Sequence, residues 1–368
     1  ALGNAILHFM VSLIIHKKKL ADNNLYYLVS GLVLVFLTIA IPIQLDGNWV
    51  TLLWAFEAAL LFWIGRKKNV IVYENLSYPL MILALFSLFH DWTLGYFDNI
   101  GLDQGMSPVL NMTFLSSLLF VGAFSFINWI NTNTKKENTV APNNTIQKIM
   151  SFAIPSILLF VLFMGFYLEI QYYWETLYIG SEIPIVEENG YDYLKHNTDL
   201  RDTGNIWLIN YSLLFISILI FANIKKLHNR VLGIVSLTAG LFAIFVFLTM
   251  GLYTLSELRE SYIDQNLSEY YEIGFFNITI RYIAFAFLTL LLVSLYTLIR
   301  EPFLKINFKI PFEILLHMTL LWVASSELLH WMHMAGSHQS YKLGLSILWG
   351  SYALLMVILG IWQNKKFL

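Results

Sequence analysis

Long apolar runs separated by short polar gaps dominate the chain. Eleven runs, at about residues 1–16, 25–44, 49–65, 70–90, 109–131, 149–170, 206–224, 231–252, 276–299, 311–331 and 342–362, stand out. Each approaches the ~20 residues a helix needs to cross a hydrocarbon core about 30 Å thick, the first and third being the shortest. The runs are continuous and too long for the alternating strands of a membrane β-barrel, so each predicts a transmembrane helix. Longer gaps fall at 91–108, 171–205 and 253–275. The stretch 181–205, with Pro184, Gly190, Gly204 and many acids, predicts a surface loop with little regular structure. The Asn- and Thr-rich patch Asn131–Asn144 predicts a solvated linker, and residues 132–147 are the one candidate internal boundary, dividing five helices from six.

Charge gives these helices a direction. Seventeen of the 22 Lys and Arg residues fall into six clusters at every second gap. They are Lys17–Lys19, Arg66–Lys68, Lys135 with Lys136 and Lys148, Lys225 with Lys226 and Arg230, Arg300 with Lys305 and Lys309, and Lys365 with Lys366. The alternate gaps are acidic, from Asp46 through Asp91, Asp98 and Asp103 to the block Glu169–Asp202 and the run Glu257–Glu272. Basic residues stay on the cytoplasmic side during insertion, so the reading is an all-α polytopic transmembrane helix bundle of about eleven spans. Its N-terminus lies outside and its C-terminus in the cytoplasm. Trp49, Trp92, Trp174, Trp207 and Trp331 fall at outer edges, and Trp63, Trp129 and Trp362 at inner ones, where amphipathic rings belong.

Composition agrees. With 58% hydrophobic and 12% charged residues, the chain has too little polar surface for a soluble globule and needs the lipid bilayer as its solvent. A net charge of −2 gives no footprint for nucleic acid. The absence of cysteine excludes disulfides, thiolate nucleophiles and sulfur ligands. No Walker or dinucleotide pattern occurs, and the cofactor is unknown. Opening inside an apolar run and closing after a basic pair, residues 1–368 read as one multispanning membrane domain excerpted from a longer protein.

Two segments echo each other. TLLWAFEAALLFWIG at 51–65 and SILWGSYALLMVILG at 346–360 share Leu53, Trp54, Ala58, Leu60 and Gly65 with Leu348, Trp349, Ala353, Leu355 and Gly360. Both helices run from outside to inside, so a duplication here would be parallel; recurrence of Leu, Ala and Gly by chance is the alternative. The surrounding blocks, LTIAIPIQLDGNWVTLLWAFEAALLFWIGRK at 37–67 and YKLGLSILWGSYALLMVILGI at 341–361, resemble a family of predicted bacterial membrane proteins, domain of unknown function twenty-three thirty-nine. The resemblance implies a many-helix bacterial inner-membrane protein and carries no catalytic residues.

Few residues are candidates for chemistry. Glu57 lies about 12 Å below the outer face, given ~1.5 Å of rise per residue. A carboxylate there marks an ion pathway or proton relay, or is a protonated hydrogen-bonding group between helices. Arg281, at the outer end of the ninth span, is its nearest counter-ion by depth. In SELLHWMHMAGSH, Glu327, His330 and His333 occupy one sector of a helix, followed by His338. Glu-x-x-His is half of a helical-bundle metal site, and His90 and Asp91 stand at matching depth to complete it; hydrated interfacial residues are the alternative. No metal is assigned. The outer acids Glu182, Glu187, Glu188, Asp192, Asp199 and Asp202 are a cation-attracting field or the residue of an insertion bias. The loop aromatics Tyr172, Tyr173, Trp174, Tyr178, Tyr191 and Tyr193 suit sugar or headgroup stacking, or interface anchoring.

Three functions fit. A transporter or proton-coupled carrier of a small solute leads, on Glu57 and the echo. An extracytoplasmic enzyme acting on a lipid-linked envelope precursor follows, and then a structural subunit of an envelope complex. Substrate and oligomeric state have no signature in the chain.

Overall fold

The computed structural model describes residues 2–18, 23–98, 106–137, 145–186, 192–337 and 341–362. Among them are eleven helices: α1 (Leu2–Lys18), α2 (Asn23–Gln44), α3 (Asn48–Lys68), α4 (Ile71–Phe97), α5 (Met112–Glu137), α6 (Thr145–Gly180), α7 (Thr198–Leu227), α8 (Arg230–Asp264), α9 (Phe276–Leu298), α10 (Lys309–Met334) and α11 (Tyr341–Trp362). Every apolar run is a helix, and the fold is an all-α membrane protein. Helices α3 to α11 are long and apolar enough to cross a membrane; α1 and α2 carry shorter apolar stretches, Gly3–Ile15 and Val29–Gln44.

The gap 171–205 differs from its expectation. Helix α6 continues to Gly180 and α7 begins at Thr198, so much of the gap is helical. Between them β1 (Ile183–Val186) pairs antiparallel with β2 (Asp192–Lys195). Local polar groups supply the order. Asn197 caps α7 by accepting from the Asp199 N–H at 3.1 Å, and the Tyr271 hydroxyl lies 2.7 Å from the Ser181 carbonyl and 2.9 Å from that of Lys195. Residues 138–144 of the linker, Glu187, Glu188, Tyr191, His338 and the pair Lys365 and Lys366 lie outside the described residues, as does the side chain of Asp192.

The chain forms two compact units, Ala1–Tyr172 and Tyr173–Leu368, whose division falls inside α6. In the first, α3 packs on α4 and α5, and α1 pairs with α2. Ala55, Ala58 and Phe62 of α3 meet a core that includes Met81, Leu88, Phe120 and Phe124. Gly65 is required at the α3–α4 hairpin, because a Cβ there would stand 2.6 Å from the Glu74 backbone nitrogen. Arg66 pairs with Glu74 at 2.8 Å, and Tyr78 donates to the same carboxylate at 2.6 Å. Gln147 reaches it at 3.3 Å, so the ends of α3, α4 and α6 that border basic gaps meet.

In the second unit α7 packs on α8 and α9, and α10 contacts α8 and α11. Asn229 caps α8 through the Val231 and Leu232 N–H groups, while both ends of the Asn223 amide clamp the Asn229 backbone at 2.9 and 3.0 Å. Arg230 donates to the Leu304 carbonyl at 3.3 Å, joining the two basic turns. In each unit, therefore, two neighbouring basic gaps meet at one end, at Arg66 and Gln147 in the first and at Arg230 and Leu304 in the second. The other is the acidic end.

Candidate functional site

At the acidic end of the second unit three helices place buried charge together. Arg281, one turn into α9, and Arg259, near the end of α8, are 1% and 4% exposed. Arg281 Nε donates to Glu327 Oε1 at 2.5 Å, and its Nη2 donates to the Ser326 hydroxyl on α10. One turn further along α10, His330 is 1% exposed and lies within electrostatic reach of both arginines. Arg259 Nη2 pairs at 2.9 Å with Glu260, a half-exposed neighbour in sequence. Arg281 Nη1, Arg259 Nε and both ring nitrogens of His330 have no hydrogen-bond partner among the described residues. Buried donors of this kind are rare and costly, which makes the cluster a functional candidate.

The expected residues divide between two places. Glu327 and His330 turn into the second unit, where the group that meets Glu327 is Arg281. Asp91, buried in the first unit, accepts from the Thr51 hydroxyl at 2.5 Å, and its neighbour His90 is exposed. Glu57 accepts from Thr38 at 3.1 Å; its other oxygen is without a partner among the described residues. His333 is half-buried on the last turn of α10. Among the described residues no three His, Asp or Glu side chains converge as metal ligands.

The outer aromatics serve other residues. Tyr172 is buried and accepts from the Met106 N–H at 2.8 Å. Tyr178 lies under the Arg201 guanidinium at 3.9 Å and stacks on His196. Trp174 packs against Gly204, where a Cβ would stand 2.6 Å from the Trp174 Cβ. A depression of about 640 Å³ lined by Ser268–Gly274 includes none of the charged cluster.

Helices of this length and apolarity point to a membrane protein, and comparison at the level of families decides which: residues 1–368 match the predicted membrane protein family DUF2339. The chain belongs to this family. No curated protein and no solved structure matches it. Membership in DUF2339 accords with the resemblance carried by the blocks at 37–67 and 341–361, and it brings no chemistry with it. The cluster has to be read from its own geometry.

Two of its features had no place in the reading of the DUF2339 sequence. Arg259 is one, although five basic residues fall outside the six clusters: Lys195, Arg201, Arg259, Arg281 and Lys342. Cations on the acidic side oppose the insertion bias, and two of the five are the buried arginines. The second is a stripe on α7, where Thr203, Asn210 and Ser217, seven residues apart, are buried alongside Ile206, Leu213 and Ile220. Asn210 is fully buried and neither end of its amide has a partner among the described residues. Polar groups at one position in seven were masked by the apolar content of the span.

Proposed function

We propose that this multi-pass membrane protein is a proton-coupled carrier of the bacterial cytoplasmic membrane, with its basic ends in the cytoplasm and its charged cluster opening to the extracytoplasmic side. The pair between buried Arg281 on α9 and half-buried Glu327 on α10 carries the reading. Such a pair gains little stability over apolar side chains and leaves an expensive charge when either partner is removed, so it suits a site that exchanges partners. Solute binding to Arg281 would displace Glu327, and the released carboxylate would take up a proton; departure of the solute would reverse both steps. The α7 stripe supports a carrier over an enzyme confined to the outer surface. It continues polar groups from the acidic end, at Asp199 and Thr203, into the span at Asn210 and Ser217.

Proteoliposomes containing the full chain and a pH-sensitive dye test this. A panel of small organic and inorganic anions, added outside, should acidify the lumen for at least one anion, and Glu327→Gln should reduce that rate at least tenfold. Absence of acidification across the panel, or an unchanged rate in E327Q, would contradict a proton-coupled carrier.

A further inference from the structure

We infer that Arg259, Arg281 and His330 form a binding site for an oxyanion of the phosphate or phosphate-ester class. The inference deepens the carrier reading by naming the chemistry of what the same site holds. Three observations carry it. The free donors come from three helices, Arg259 Nε from α8, Arg281 Nη1 from α9 and the His330 ring from α10, and each side chain is more than nine-tenths buried. The two cations are unevenly paired: Glu327 answers Arg281, whereas Arg259 has the adjacent, half-exposed Glu260, and a pair so hydrated is weak. Asp199, which accepts from the Ser261 hydroxyl at 2.8 Å and the Asn277 amide at 2.6 Å, keeps its charge but makes no hydrogen bond to either arginine among the described residues.

The chemistry of the donors favours a tetrahedral anion. A guanidinium presents its N–H groups as a fixed planar fork that matches phosphate oxygens, and Glu327 already occupies one edge of the Arg281 fork as an internal carboxylate. A ligand that also satisfies Arg259 and His330 needs acceptor oxygens facing several directions, which phosphate has. Entry requires α10 to part from α9, and little of the apolar stretch of α10 is buried against the rest of the chain, 11% against 50% for α9. The phosphate group has two sources, a soluble anion or a lipid headgroup reaching the site from the outer leaflet.

The test is equilibrium binding by the full chain without any gradient. One arm titrates inorganic phosphate into protein in a neutral detergent; the other uses nanodiscs of phosphatidylcholine with and without phosphatidic acid, read by the thermal midpoint. Binding is expected in at least one arm, weakened tenfold or more by Arg259→Gln and by His330→Gln. Arg201→Gln, which removes an exposed cation at the same end, should leave it unchanged. Saturation only in the nanodisc arm would identify a lipid headgroup as the source, and saturation by free phosphate a soluble anion. No binding in either arm, or binding indifferent to R259Q and H330Q, overturns the site. Binding with no proton flux keeps the site and removes the carrier; flux without phosphate binding does the reverse.

Discussion

Glu169 and Glu327 are carboxylates of membrane helices near the acidic ends of their units, set in opposite surroundings. Glu169 is 5% exposed and fully answered: the Tyr96 hydroxyl donates at 2.9 Å, the Val109 N–H at 2.5 Å and the Asn111 amide lies 3.1 Å from both oxygens. These bonds tie residues 109–111 to α6, and the Met106 bond to Tyr172 adds to them. Glu327, with 23% of its side chain exposed, answers one edge of one arginine, takes a long 3.5 Å contact from the Tyr282 hydroxyl, and leaves buried donors around it unpaired among the described residues. A satisfied network holds a loop. An unsatisfied one, kept at a cost in stability, indicates that something else completes it.

The largest effect should come from breaking the unsatisfied side of this comparison. Glu327→Ala leaves Arg281 as an unpaired buried cation, and the expected loss is about 3–5 kcal/mol, the usual cost of removing one member of a buried ion pair. Thermal unfolding in detergent measures it; a loss below about 1 kcal/mol would mean that water already solvates Arg281. Glu169→Ala should follow at about 3 kcal/mol, because it orphans neutral donors worth roughly 1–3 kcal/mol each. It should also speed proteolysis between Met106 and Met112. Unchanged stability and cleavage would show that Glu169 does not hold the loop.

A smaller contrast lies along α7. Asn223 has both ends of its amide bonded to Asn229, so Asn223→Ala should cost about 1–2 kcal/mol. Asn210 has neither end bonded among the described residues, so Asn210→Leu should be neutral or stabilising by about 1 kcal/mol while lowering transport. Equal losses from both substitutions would mean that Asn210 is satisfied in the membrane and would remove the stripe as a path.

Apolar run length and charge alternation made the helices legible, since eleven runs became eleven helices. They did so because a backbone in lipid has to bond internally, which ties hydropathy directly to helix. The order between Gly180 and Thr198 was hidden, because it depends on Asn197 and Tyr271 meeting backbone groups that no local pattern reveals. At the site, Glu327, His330 and Arg281 were visible as polar residues in apolar spans. Their pairing was not: only helix rotation within the second unit brings Arg281 to Glu327. The echo between 51–65 and 346–360 is likewise partial in the structure. Trp54 donates to the Thr38 carbonyl and Trp349 to the Ser325 hydroxyl, each on the preceding helix, yet half of the apolar stretch of α3 is buried and only 6% of that of α11.

The most direct measurement compares the two carboxylates with the anion present. Thermal midpoints of Glu327→Ala and Glu169→Ala are recorded in neutral detergent with and without saturating inorganic phosphate, and with phosphatidic acid in nanodiscs. If the Arg259, Arg281 and His330 cluster is an oxyanion site, phosphate from one of these sources restores most of the midpoint lost in E327A and none of that lost in E169A. Equal shifts in both variants, or no recovery in E327A, would contradict the site and leave Arg281–Glu327 as a structural ion pair.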